Sequence, residues 1–289
     1  MAAVPWLWFA VRLVGPEVDL FAVLLPAVTG VAVAVCAALA IVRRRPWYLV
    51  PIASLVLFTG VAIALPRIPR SVPEPVDPFV LVSANTFDRN PVPEAAARDL
   101  AARRPDVLVV VEVKWRIRRL LGSILPGYAA RDEGSLAVFA RWPLSPAVPI
   151  DGVPSTDGFR VTVERPGAPF DLLVLHLPNP LHEISFPGQL AMVERLLADV
   201  AAAERPVIVA GDLNASDRTA AYRALAGAMR DAMRSSWAGT TYQAGLFRLL
   251  ELRIDHVFEP DTWCSAGSTT FPVPGSDHRG VSARLGPCP

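Results

Sequence analysis

Histidine and cysteine are scarce, and neither is arranged for a tetrahedral metal centre. The four histidines and the three cysteines, Cys36, Cys264 and Cys288, form no cluster with the spacing of a zinc site. An excess of basic charge is also missing. From Phe79 onward there are 22 Lys and Arg against 23 Asp and Glu, a balance of −1, and Lys114 is the one lysine. Sequence-independent binding of nucleic acid works by neutralising phosphates and leaves a strongly basic domain, so this balance argues against that class of partner. No internal repeat is visible. The first residues lack the basic region and small-residue cleavage site of a secretory signal.

Charge is absent altogether from two stretches near the front. Residues 20–42 carry none over 23 positions and residues 47–65 none over 19. About 20 apolar residues in a helix cross a bilayer, so each stretch is long enough to span. Pro26 and Pro51 are compatible with this, since membrane helices tolerate proline. The competing reading is a pair of buried core helices. Between the stretches lies Arg43-Arg44-Arg45-Pro46, a turn short enough only for a helical hairpin. The positive-inside rule puts this turn in the cytoplasm, which makes the chain a multi-pass protein of the cell membrane with everything after Leu65 outside. Residues 1–14 are apolar but interrupted by Arg12, and read either as an interfacial segment or as part of a third span. Outside the cytosol Cys264 and Cys288 could pair; two free thiols is an equally open reading.

Five prolines in residues 66–78 predict an extended, semi-rigid linker. Residues 79–289 then form one domain. Short apolar runs at 79–84, 107–113, 135–140, 159–163, 170–176, 206–210 and 254–258 predict buried strands, and periodicity over 94–104 and 188–204 predicts helices. The class is α/β with a mixed sheet, because 159–163 and 170–176 are close enough to pair antiparallel. Lys114, Arg116, Arg118 and Arg119 form a local basic patch whose plainer meaning is a solvated helix face.

Polar residues stand at the ends of these strands, where the active sites of α/β domains lie. They are Asn85, Glu112, His176, Asp212 with Asn214, Asp255 with His256, and Asp277 with His278. Taken singly, each has a structural explanation. Together they suit hard-cation chemistry: Mg²⁺ takes one or two carboxylates and completes its shell with water and phosphate. A carboxylate-held histidine can meet charge growing on a phosphoryl oxygen, and a second carboxylate can orient or deprotonate water.

Asn85, Glu112, GSLAVFARWPL at 134–144, HLPNP at 176–180, GDLNAS at 211–216, RIDHV at 253–257 and SDHRG at 276–280 occur in one order. That ordered set resembles the endonuclease/exonuclease/phosphatase superfamily over residues 79–285. The resemblance implies a four-layer sandwich of two mixed β-sheets flanked by helices, with the site at one edge between them. It implies Glu112 as the principal ligand of Mg²⁺ (or Mn²⁺), with Asn85 beside it and Asp277 near the metal. Asp212 would position or activate water, Asn214 and His176 would bind phosphate oxygens, and His278, oriented by Asp255, would contact the scissile phosphate as base or as stabiliser. His256 reads as structural and His182 as a surface histidine. Two positions depart from the nuclease branch: Phe87 stands where an acidic residue is usual, with Asp88 displaced by one, and Val111 stands where Gln is usual. Anchor and domain together are similar to the membrane-bound actinobacterial branch that includes teicoplanin-resistance proteins. That resemblance implies a phosphoesterase, with the bilayer and a lipid-linked (pyro)phosphate or phospholipid as partners; no protein partner is inferred. An extracellular nuclease and a non-catalytic membrane module are the alternatives.

Overall fold

The computed structural model describes residues 15–44, 47, 49–244 and 250–289. Residues 1–14, and Arg45-Pro46 of the arginine turn, lie outside the described residues. After a 3₁₀ turn at Pro16–Val18, two apolar helices run as a hairpin: α1 (Asp19–Arg43) and α2 (Leu49–Ala64). They touch through Leu25, Phe58 and Ala62, and through a hydrogen bond between the hydroxyls of Thr29 and Thr59. Both are long and apolar enough to cross a membrane once their 3₁₀ extensions are included, and only 22% and 17% of an apolar 18-residue stretch in each is buried. Val31, Ile41, Val42, Val50 and Leu57 point outward. These are therefore not core helices of the domain that follows.

That domain begins with β1 (Phe79–Asn85), α3 (Pro93–Ala102), β2 (Val107–Val111), α4 (Trp115–Ile124), β3 (Ala129–Glu133) and β4 (Leu136–Ala140). It continues with β5 (Gly158–Val163), β6 (Phe170–His176), α5 (Phe186–Ala202), β7 (Val207–Asp212), α6 (Ala220–Ala228) and β8 (Arg230–Asp231). The last strands are β9 (Tyr242–Ala244), β10 (Leu250–Leu252), β11 (Asp255–Glu259), β12 (Trp263–Pro272) and β13 (Arg279–Pro287). One sheet has the order β12-β13-β1-β2-β4-β3, the other β5-β6-β7-β11-β8, and β9 and β10 form a separate pair. β1 and β2 are parallel, as are β6 and β7; the remaining neighbours are antiparallel.

The β-branched and aromatic runs explain the layering. Alternate residues of the first sheet (Leu81, Val109, Val138, Ala283) face those of the second (Val161, Leu172, Val174, Ile208, Val257) across one shared core. The other faces are apolar too, as strands buried on both sides require. Val82, Leu108 and Val110 pack under α3 and α4, and Leu173, Leu175 and Val209 under α5 and α6. The result is the four-layer sandwich expected from the sequence. Cys264 and Cys288 form a disulfide that ties β12 to the end of β13, which resolves the two readings of those residues. The basic patch is a helix face, with Arg116 and Arg118 paired to Glu94 and Asp132.

Candidate active site

Parallel pairing fixes where the chain can place chemistry. β1 and β2 end side by side, with Asn85 opposite Val111, and β6 and β7 end with His176 opposite Asp212. β11 runs the other way, so Asp255 at its start also lies opposite Asp212. His278 immediately precedes β13. One edge of the sandwich therefore gathers polar residues from six strand ends.

Asp212 is at the centre and is buried. Its Oδ1 accepts the Asn214 N–H at 2.9 Å. Its Oδ2 accepts the Asn85 amide at 3.0 Å and faces His176 Nε2 at 3.8 Å and His278 Nε2 at 3.7 Å. Asn85 donates also to Glu112 Oε1 at 2.8 Å, while its side-chain Oδ1 accepts the Phe87 N–H. It thus bridges the two carboxylates through its amide nitrogen. Glu112 Oε2 accepts the Asp88 N–H, so a backbone group supports the carboxylate in the stretch that departs from the nuclease pattern.

His278 Nδ1–H donates to Asp255 Oδ2 at 2.9 Å. Burial opposes a charge on His278, but Asp255, Asp212 and Asp277 outweigh it and raise its pKa well above the ordinary imidazole value. Burial raises Asp255 as well, against the pull of His278. The pair is accordingly an imidazolium held by a carboxylate. His256, by contrast, is pushed down to about 4 by burial and by Arg253, and its ring spans Arg253 and the Ala215 carbonyl. It is neutral and structural, as its neighbours in sequence suggested.

Glu112, His176 and Asp212 offer ligand atoms within 4.8 Å of one another, as do Asp212, Asp255 and His278. Two carboxylates beside one imidazole, opening on a cleft, fit a divalent cation. The second group fits less well, because its imidazole nitrogen nearer Asp255 is already committed to that carboxylate. Asp277 is exposed, lines the cleft and lies outside both groups. Asn214 lines the cleft with its Nδ2 donating to the Leu177 carbonyl. His182 is exposed on the rim.

The cleft measures about 450 Å³. Phe87, Glu112 and Asn214 line it with left-handed backbones, three of the six non-glycine residues with positive φ among those described. Such strain costs of order 1–3 kcal/mol per residue and persists where the surroundings impose it, commonly at functional sites. Gly211 has φ of 145°, and a Cβ there would sit 1.9 Å from the Leu175 carbonyl oxygen in β6. Gly211→Ala is expected to push β7 from β6 and cost about 2–3 kcal/mol. Thermal unfolding would reveal this, and an unshifted midpoint would contradict it.

Several site residues carry no signal in the sequence. Tyr242 bridges to His278 and lays its ring 4.8 Å from the imidazole. Thr241 accepts the N–H groups of Ile254 and Asp255, and Ser276 links the His278 N–H to the Asn85 carbonyl. Only Ser276 falls inside a recognisable motif. Val23, from α1, also lines the cleft, with Leu252 and Ile254.

Residues 82–278 match the sequence profile described as the Endonuclease/Exonuclease/phosphatase family. Solved structures share the fold at low identity. An endonuclease/exonuclease/phosphatase from Bacteroides vulgatus has a TM-score of 0.60 at 15% identity, covering 73% of this chain and 100% of that one. TDP2 of D. rerio, complexed with a single strand DNA product, has 0.60 at 16%, covering 73% and 99%. Sphingomyelinase C from Streptomyces griseocarneus has 0.54 at 17%, covering 72% and 99%. No curated protein matches the chain.

Proposed function

The chain belongs to the endonuclease/exonuclease/phosphatase family, and from that premise we propose that it is a membrane-anchored phosphoesterase using Mg²⁺, or Mn²⁺ in its place. Its substrate is a lipid-linked phosphate or pyrophosphate, or a phospholipid, at the outer face of the cell membrane, as in the branch that includes teicoplanin-resistance proteins. The observation that carries this reading is the composition of the cleft. It joins Glu112, Asp212, His176 and His278 to Val23, the first turn of an apolar helix. The near-neutral charge of the domain supports it, and so does the disulfide, since disulfides persist in oxidising compartments.

Glu112 would be the principal ligand of the cation, with Asp212 and His176 beside it. When bound, the cation neutralises phosphate charge and polarises a phosphoryl oxygen. Asn85 keeps the two carboxylates facing each other. Asp212 orients the attacking water and accepts its proton. Imidazolium at His278, held by Asp255, donates to a phosphoryl oxygen as negative charge builds there. Asn214 and His176 bind the remaining phosphate oxygens, and Asp277 adds negative charge at the rim beside His278.

Chelation tests the metal. Protein stripped with EDTA should lose turnover of bis(p-nitrophenyl) phosphate and regain it with Mg²⁺ or Mn²⁺, whereas Glu112→Gln should not regain it at the same concentrations. Activity that survives chelation would sink this part of the reading. A reporter fused after Pro289 should be active only outside the cytosol; cytosolic activity would reverse the orientation.

A further inference from the structure

Both outer ends of the hairpin are built into the catalytic domain. The Asp19 carboxylate accepts the Ala220 N–H, Arg218 donates from Nε to the Ala22 carbonyl at 2.8 Å, and Arg67 reaches Asp217 at 3.0 Å. This junction puts Val23 against Leu252 and Ile254, with Tyr242 and Phe186 packed around them. Tyr242 in turn lies against His278, its ring tilted by 48° to the imidazole. An apolar wall therefore starts on the first turn of α1 and ends at the histidine proposed to contact the phosphate. On the same turn Leu20 and Phe21 are exposed, and exposed apolar residues continue up the helix through Val28 and Val31. Interfacial depth is where the first turn of a spanning helix lies.

We propose that Val23, Leu252 and Ile254 form an apolar subsite for the alkyl or isoprenyl segment next to the phosphate of a bilayer lipid, with the rest of that chain lying along α1. The inference rests on the phosphoesterase reading and deepens it. The hairpin is then part of the binding site as well as an anchor. The three side chains are nearly buried, at 4%, 6% and 5% exposure, and they line the cleft alongside Glu112 and Asp212.

The test is equilibrium binding of non-hydrolysable n-alkyl phosphonates, methyl to hexyl, to the detergent-solubilised full chain with Mg²⁺. Affinity should rise along the series by up to about fourfold per methylene, the yield of burying one CH₂. Val23→Ala and Leu252→Ala should each cut the hexyl-to-methyl ratio by roughly fivefold or more. Affinity independent of chain length, or an unaltered ratio in both variants, would overturn the subsite and leave the phosphate site standing. Absence of binding by every phosphonate would remove the phosphate site and the subsite together.

Discussion

Asp212→Asn is expected to lower kcat on any phosphodiester by roughly 10³-fold while the protein stays folded, because general-base assistance contributes about 10²–10⁴ and this side chain meets Asn85, Asn214, His176 and His278. Asparagine keeps the volume, and its oxygen can still accept the Asn214 N–H. It loses the charge that faces His176 and His278 within 3.8 Å and the basicity needed to take a proton from water. The loss should appear in kcat more than in KM, since the carboxylate acts on the developing transition state. A circular dichroism spectrum and unfolding midpoint close to those of the parent should accompany it. A loss smaller than tenfold would remove Asp212 from the chemistry.

Asp217→Asn is expected to act on stability by about 3–5 kcal/mol, the usual cost of breaking a buried ion pair from one side. Three guanidinium groups converge on this buried carboxylate: Arg67 at 3.0 Å, Arg253 at 3.4 Å and Arg218 at 3.8 Å. Burial works against its charge, yet the three arginines hold its pKa below the ordinary value. Arg253 keeps Asp231 at 2.7 Å after the change, but Arg67 and Arg218 are left with neutral partners among the described contacts. The midpoint of thermal unfolding should fall by about 10 °C at 2–4 °C per kcal/mol. Asp261→Asn offers the contrast, since that carboxylate is exposed and its pair with Arg230 is worth less than about 1 kcal/mol. Equal shifts in the two variants would contradict the account of the junction.

Much of this was legible along the chain. Asn85, Glu112, His176, Asp212 and Asp255 each stand in or beside an apolar run, and strand pairing converts position on a strand into position in space, whereas His278 stands before β13 and shows only in its SDHRG motif. All seven predicted strands are present, and both predicted helices. The strands not foreseen lack apolar runs. β3 is an edge strand reading AARDE, while β12 and β13 are rich in Ser, Thr, Gly and Arg, with one face toward solvent. α4 shows in the sequence only as the solvated basic face of a helix, because arginines crowd its outer side while Ile117 and Leu121 hold it down.

The junction was invisible for a different reason. Arg67, Asp217, Arg218 and Arg253 are charged residues scattered over nearly 190 positions, and charge on a single sequence reads as surface. The proline-rich segment looked like a spacer. It is extended but held down, with the Arg70 and Val76 N–H groups donating to the carbonyls of Arg234 and Pro287, and Asp77 paired with Arg165. The hairpin and the catalytic domain are joined more closely than a free linker would allow, which is what brings Val23 into the cleft.

The central claim is most directly tested by competition in vesicles. The full chain, reconstituted with Mg²⁺, would be offered undecaprenyl pyrophosphate, phospholipid and plasmid DNA together, with the Asp212→Asn protein as control. The account predicts release of phosphate or phosphorylated head group from a lipid, abolished in the control, with the plasmid intact. Nicked plasmid beside untouched lipid would contradict it.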